Sequence, residues 1–124
     1  MKSRIILKTS ALAIGLGAIL GLPIVNRAAD SDAQTKTVKG EIVDLMCYLD
    51  HGAKGEKHKS CAGKCIKSGG PVGLLSGEDL YLVIGDHKPI NDQLADKAAQ
   101  EVTLKGKVVE KNGMKMIENA ELVE

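Results

Sequence analysis

The sequence predicts a domain dominated by β-structure: a small five-stranded OB-like Greek-key barrel with one helix, and with a Cys/His-containing insert between strands 1 and 2. Three observations carry this expectation. Apolar residues follow a strand pattern over five short stretches. One helical pattern falls between the third and fourth of them. Glycines at 40 and 106 stand in mid-strand, where a barrel wall needs sharp bends. On this reading neighbouring strands run antiparallel. A five-stranded open sheet with one packed helix is the alternative.

The chain opens Met1-Lys2-Ser3-Arg4 and continues as a mostly apolar run from Ile5 to Val25, broken by Lys8, Thr9 and Ser10. A basic start, an apolar centre and a small-residue tail have the form of a secretory signal. Cleavage after Ser31 or Ala33 would place small residues where the peptidase needs them. No cysteine follows the apolar run directly, which excludes a lipoprotein anchor. Residues 1–33 are thus expected to be a signal peptide or an uncleaved N-terminal anchor, and 34–124 the OB-like domain. The expected location is exported: periplasmic, or membrane-anchored and facing the periplasm, with membrane contact only through an uncleaved leader. An exported protein partner would have to be sought there.

Beyond the linker, Val38, Gly40, Ile42 and then Val43-Asp44-Leu45 predict a first strand running to about Met46 and delivering Cys47 at its end. A polar loop, Asp50–Lys59, follows. Ser60 is the expected N-cap of a short helical turn from Cys61 to Lys67, stopped by Gly69-Gly70. Pro71 opens a hairpin of Val72–Leu75, a turn over Ser76–Asp79, and a return strand Leu80–Ile84 that is expected to be central. Asn91 is the expected cap of a helix reaching about Ala99, with Leu94, Ala95, Ala98 and Ala99 facing inward. Val102, Leu104, Gly106 and Val108 begin the last hairpin, Asn112-Gly113 is a type I′ turn signal, and Met114 to Val123 return.

Charge and composition exclude one class of partner. Of seventeen Lys and Arg, four (Lys2, Arg4, Lys8, Arg27) lie in the leader; of sixteen Asp and Glu, two (Asp30, Asp32) do. The domain therefore carries thirteen positive and fourteen negative side chains, a net charge of −1, and none of its positive residues is Arg. Phe and Trp are absent, and Tyr48 and Tyr81 are the two tyrosines. Nucleic-acid binding needs a basic face, Arg forks and stacking aromatics, so no nucleic-acid partner is expected. A catalytic site is not expected either: no Ser lies in a nucleophile elbow, and Asp86-His87 sits in a turn sequence.

The insert holds all three cysteines and two of the three histidines. A domain of about 90 residues buries a marginal core and gains from a staple of disulfide or metal. Cys47, His58, Cys61 and Cys65 form a Cys3His set of the right number for one metal ion, with His51 as a spare. The spacing is not one of the common zinc-finger spacings, and solvated loop histidines are the competing reading. Thiolates favour zinc, monovalent copper and iron, so copper or zinc is the expected ion, in a carrier or sensor without turnover. Met46, Met114 and Met116 could add thioethers or merely fill gaps in a core. Ile66 stands where a covalent c-type haem would need His, which leaves only non-covalent haem open.

Two alternatives use the same thiols without metal. Cys61 near a helix start, beside Lys59 and Lys64, has the surroundings of a redox nucleophile, with Cys65 or Cys47 to resolve it. A structural disulfide from Cys47 to Cys61 or Cys65 would staple a plain binding module. Closing a loop of about 15 residues is worth roughly 3 kcal/mol. Tyr81 alone offers little stacking surface for a sugar ligand.

The string Val-Lys-Gly-Glu-Ile-Val-Asp-Leu-Met-Cys47, then His58-x-x-Cys61-x-x-x-Cys65, then Gly69-Gly70-Pro71, resembles a family of exported bacterial OB-like domains of unknown function. The later Val-x-Leu-x-Gly106-x-Val fits it too, and the resemblance spans nearly all of residues 34–124. It implies export and the barrel, and it transfers no activity. N-terminal sequencing of the processed protein checks the leader: a start near Asp32 or Gln34 is the expected result, and Met1 would mean a retained anchor.

Overall fold

The computed structural model describes residues 34–123; residues 1–33, with the expected leader and its cleavage sites, lie outside them. Its strands are β1 (Gln34–Asp44), β2 (Val72–Ser76), β3 (Asp79–Val83), β4 (Glu101–Lys111) and β5 (Met114–Val123). Helix α1 (Leu45–His51), a 3-10 turn (Glu56–His58) and helix α2 (Lys59–Lys67) connect β1 to β2. Helix α3 (Asn91–Leu94), extended by a 3-10 turn (Ala95–Lys97), lies between β3 and β4. The strands close into a barrel in the order β1-β2-β3-β5-β4, with β4 pairing back onto β1. This is the expected OB-like arrangement, with the cysteine-bearing insert after the first strand.

One neighbouring pair departs from the antiparallel expectation. The pairs β1–β2, β1–β4, β2–β3 and β4–β5 are antiparallel, whereas β3–β5 is parallel, with Tyr81 opposite Lys115. Strand directions cannot alternate around a ring of five, so closure forces at least one parallel pair. It falls on β3–β5, which are separated in the chain by α3 and β4. Lys115 donates to Asp79 beside this ladder, and Tyr81 Oη donates to the same carboxylate at 3.4 Å. Lys115 holds the Asp79 carboxyl below its ordinary range.

Each strand contributes to one core. Ile42, Leu74, Leu104 and Ile117 are fully buried, joined by Val83. Ala62 and Ile66 of α2 belong to the same cluster, as do Leu94, Ala95 and Ala98. The insert is therefore tied to the barrel by apolar burial through α2. The strand expected to be central, β3, is half-buried from Asp79 to Leu82, while β2 is buried from Val72 to Leu75. Both hairpin turns form where expected: Asn112 and Gly113 have φ of 53° and 83°, as a type I′ turn requires.

The helix expected from Asn91 to Ala99 is shorter. Ala98 leaves it to bridge Ile42, and the Ala99 N–H donates to the Ile42 carbonyl at 2.8 Å. Pairing with β1 outcompetes another helical turn at this point, as tertiary context often does. Ala99 is in consequence only half-buried, with φ of 60°. Asn91 is the first helical residue and not the cap. Its side-chain amide instead donates to the carbonyls of Ile66 and Gly70, at 2.7 Å each, and holds the end of α2.

Glycines 40 and 106 serve close approach between walls of the barrel. A Cβ on Gly40 would lie 2.5 Å from the Leu75 carbonyl oxygen, and one on Gly106 would lie 2.7 Å from that of Glu118. Neither obstacle is a side chain able to swing away. Gly40→Ala is expected to lower stability by about 1–3 kcal/mol, the usual range for overpacking, read from the denaturant midpoint of unfolding. An unchanged midpoint would show that the two strands separate freely there.

Candidate metal centre

The site begins with the turn at the end of β1. The Asp44 carboxylate accepts a hydrogen bond from the Cys47 N–H at 2.8 Å, through Oδ1, and so caps α1. Its extended backbone ends the strand, two residues earlier than the sequence pattern suggested. Cys47 thus lies in the first turn of a helix and not at a strand end. Gly52 stops α1 in a left-handed conformation, its N–H donating to the Tyr48 carbonyl at 2.8 Å. Asp44 and Gly52 are start and stop signals readable in the sequence; the alternation of the preceding strand masked them.

The polar loop after α1 has anchors of its own. Ala53 is buried, and the Gly55 N–H donates to Glu41 Oε1, tying the loop to β1. The chain then enters α2, which starts at Lys59 with His58 at its cap position and no side-chain cap. Ser60 is therefore inside the helix and not its N-cap. Cys61 and Cys65 lie one turn apart, while Ala62 and Ile66 face the core. At the far end the Gly70 N–H donates to the Cys65 carbonyl at 2.9 Å, and the chain stops at Gly69-Gly70 as expected.

These anchors bring the three cysteines together. The ligand atoms of Cys47, Cys61 and Cys65 lie within 4.8 Å of one another. Cys61 is exposed, Cys47 and Cys65 are half-buried, and all three are free thiols without a disulfide. Three sulfurs bound at about 2.3 Å to one ion stand about 3.8–4.0 Å apart in tetrahedral or trigonal geometry, so small side-chain adjustments suffice. His58 is exposed and lies outside this converging group; its N–H donates to the Gly55 carbonyl at 2.9 Å. His51, the spare, is also exposed, with Nε2 3.5 Å from Asp50. Met46 and Met114 are exposed rather than packed into a core.

The electrostatics of the cluster favour a cation. The Cys47 thiol is pushed up to about 12, first by hydrogen bonding to the Asp44 carboxylate and then by burial and the charge of Asp44. The Cys65 thiol is raised as well, chiefly by burial and then by Asp44. Asp44 itself is 2% exposed, and among the described residues its Oδ2 meets no N–H or O–H donor. A buried carboxylate oxygen without a partner is costly. This one sits where two inner thiols also need positive charge before they can ionise. A metal ion would supply that charge, and three soft donors suit one; the residues fit the group.

Fold and site together define a class: a small OB-like barrel whose first connection carries a three-cysteine group able to hold a metal. Comparisons of the chain with protein-family models, with curated proteins and with solved structures find no match. The function must be argued from the site.

Asp44→Asn separates the cap from the charge. The Asn oxygen can still accept from the Cys47 N–H, but the negative charge is gone. The Cys47 thiol is therefore expected to ionise at lower pH, read from thiolate ultraviolet absorbance. Because the folded value lies above the ordinary thiol range, the metal-free protein should be stabilised by the Cys47 proton below about pH 8.5. That stability should be lost as pH rises towards about 12, and less of it should be lost in the Asn variant. Identical titrations of both proteins would separate Asp44 from the thiol.

Proposed function

We propose that this domain binds one soft transition-metal ion, copper(I) or zinc, through Cys47, Cys61 and Cys65, and acts as an exported carrier or sensor without turnover. The observation that carries the reading is the convergence of three free thiols within 4.8 Å. Three thiolates make a complete trigonal set for monovalent copper. Zinc takes a fourth ligand, and His58, three residues before Cys61, is the proposed donor. The partnerless Asp44 oxygen beside Cys47 supports a cation at this position. Export is the part of the proposal that rests on the leader and on the resemblance of the cysteine motif to exported OB-like domains.

The role of carrier or sensor follows from the surroundings of the thiols. Cys61 is exposed, so an ion held there is reachable by ligands of an exchange partner. Exchange between thiolate sites needs such access, whereas a buried structural site excludes it. Binding must also displace protons from the raised Cys47 and Cys65 thiols, so affinity should rise with pH.

Elemental analysis, with a free-thiol count on protein purified under reducing conditions without chelator, tests the reading. One copper or zinc per chain is expected. Ser at Cys47, Cys61 or Cys65 should weaken binding comparably, and His58→Ala by less. Protein that takes up neither ion, or in which only two cysteines matter, overturns the assignment.

A further inference from the structure

The three thiols are not equivalent, and their difference gives the same site a second chemistry. Cys61 is exposed in the first turn of α2, in a stretch carrying Lys59 and Lys64, while Cys47 and Cys65 are half-buried. A thiol reagent arriving from solution meets Cys61 first. Which cysteine can then bond to it is a matter of backbone geometry. Cys61 and Cys65 are one helical turn apart, a spacing that holds Cβ atoms about 5–6 Å apart. A disulfide needs those atoms about 3.5–4.5 Å apart. Bridging Cys61 to Cys65 would unwind α2, whose Ala62 and Ile66 are fixed in the core. Cys47 is under no such restraint. It stands on a separate helix, its ligand atom is already in the 4.8 Å group, and no residue of α1 is buried.

We propose that the centre is redox-gated: a small-molecule or protein disulfide oxidises Cys61 and Cys47 to an intramolecular disulfide, and the metal ion is released. This inference rests on the metal-binding reading above. In the first step the Cys61 thiolate attacks one sulfur of the external disulfide, forms a mixed disulfide and expels one thiolate. Cys47 Sγ then attacks Cys61 Sγ, closing Cys47–Cys61 and expelling the second thiolate. Two electrons pass from the two protein sulfurs to the external disulfide, which leaves as two thiols. Their two protons come from the protein thiols, or from water where the ion has already displaced those protons. Cys65 remains as a single sulfur donor, too few to retain the ion. Reduction of the bond restores the site.

The test uses the full chain, reduced and loaded with zinc, which does not itself change oxidation state. It is treated with oxidised glutathione without oxygen, while a chromogenic chelator reports released zinc and peptide mass mapping reports disulfides. One zinc released per Cys47–Cys61 bond formed, with reuptake after dithiothreitol, is the expected result. In parallel, metal-free Cys47→Ser and Cys47→Ala should stop as a glutathione adduct on Cys61, and metal-free Cys65→Ser should still close Cys47–Cys61. Removing Cys61 should slow the first step by about tenfold or more, since the remaining thiols are less accessible. A Cys61–Cys65 bridge, a disulfide formed with zinc retained, or no intramolecular bond in the loaded wild type overturns the gating while leaving metal binding intact. Reduced protein that takes up neither zinc nor copper(I) overturns the metal reading, and the gating with it.

Discussion

The arrangement of the insert depends on one buried carboxylate. Asp44 ends β1, caps α1 and faces the cysteine cluster, three roles that a neutral apolar residue could not combine. Its Oδ1 bond to the Cys47 N–H turns the chain from barrel wall into helix. Replacing such a cap by Ala costs about 0.5–2 kcal/mol, and here it would also release the residue that orients the first thiol. Burying the second oxygen without a partner is the unfavourable half of the arrangement. A cation held by the thiols would offset it, which would couple the stability of this corner to what the cluster binds.

The remaining geometry comes from the barrel. Closure of five strands fixes the end of β1, and α2 is set against it by Ile66 and Ala62. Asn91, from the segment that leads to β4, holds the carbonyls at the end of α2. Glu41, three residues before Asp44 on β1, ties down the loop at Gly55. The cysteines are thus positioned by near neighbours (Asp44, Ala62 and Ile66) that are themselves fixed by distant parts of the chain. The site is a product of the fold and not of the motif alone.

The strands and their turns were legible because they follow local rules. Period-two patterns, Asn112-Gly113 and the Gly69-Gly70 stop each act over a few residues. What the sequence concealed was decided mostly by partners far along the chain, and in one case by a local cap hidden behind strand alternation. Asp44-x-x-Cys47 reads as strand until its carboxylate is seen turned onto the helix backbone. Asn91 looks like a cap because nothing local shows that Ile66 and Gly70 claim its amide. The helix after it is cut short by Ile42, from the other end of the domain. The parallel β3–β5 pair follows from closing an odd ring, which no local pattern encodes. Of the candidate ligands, the three cysteines converge as their spacing suggested. The histidines, with polar neighbours on both sides, had nothing apolar to draw them inward.

The two helices that carry the thiols differ in how they are held. Helix α2 is rooted in the core, whereas α1 buries none of its seven residues and is fixed mainly at its ends. Segments with few buried contacts open at a small fraction of the global unfolding free energy. Opening of α1 would carry Cys47 away while Cys61 and Cys65 stay in place. An ion bridging all three sulfurs would therefore act as a bolt between a rigid element and a locally labile one, linking its binding to the closing of α1. The lifetime of an ion held there would then depend on the breathing of a seven-residue helix as well as on access through Cys61, and not on the unfolding of the barrel.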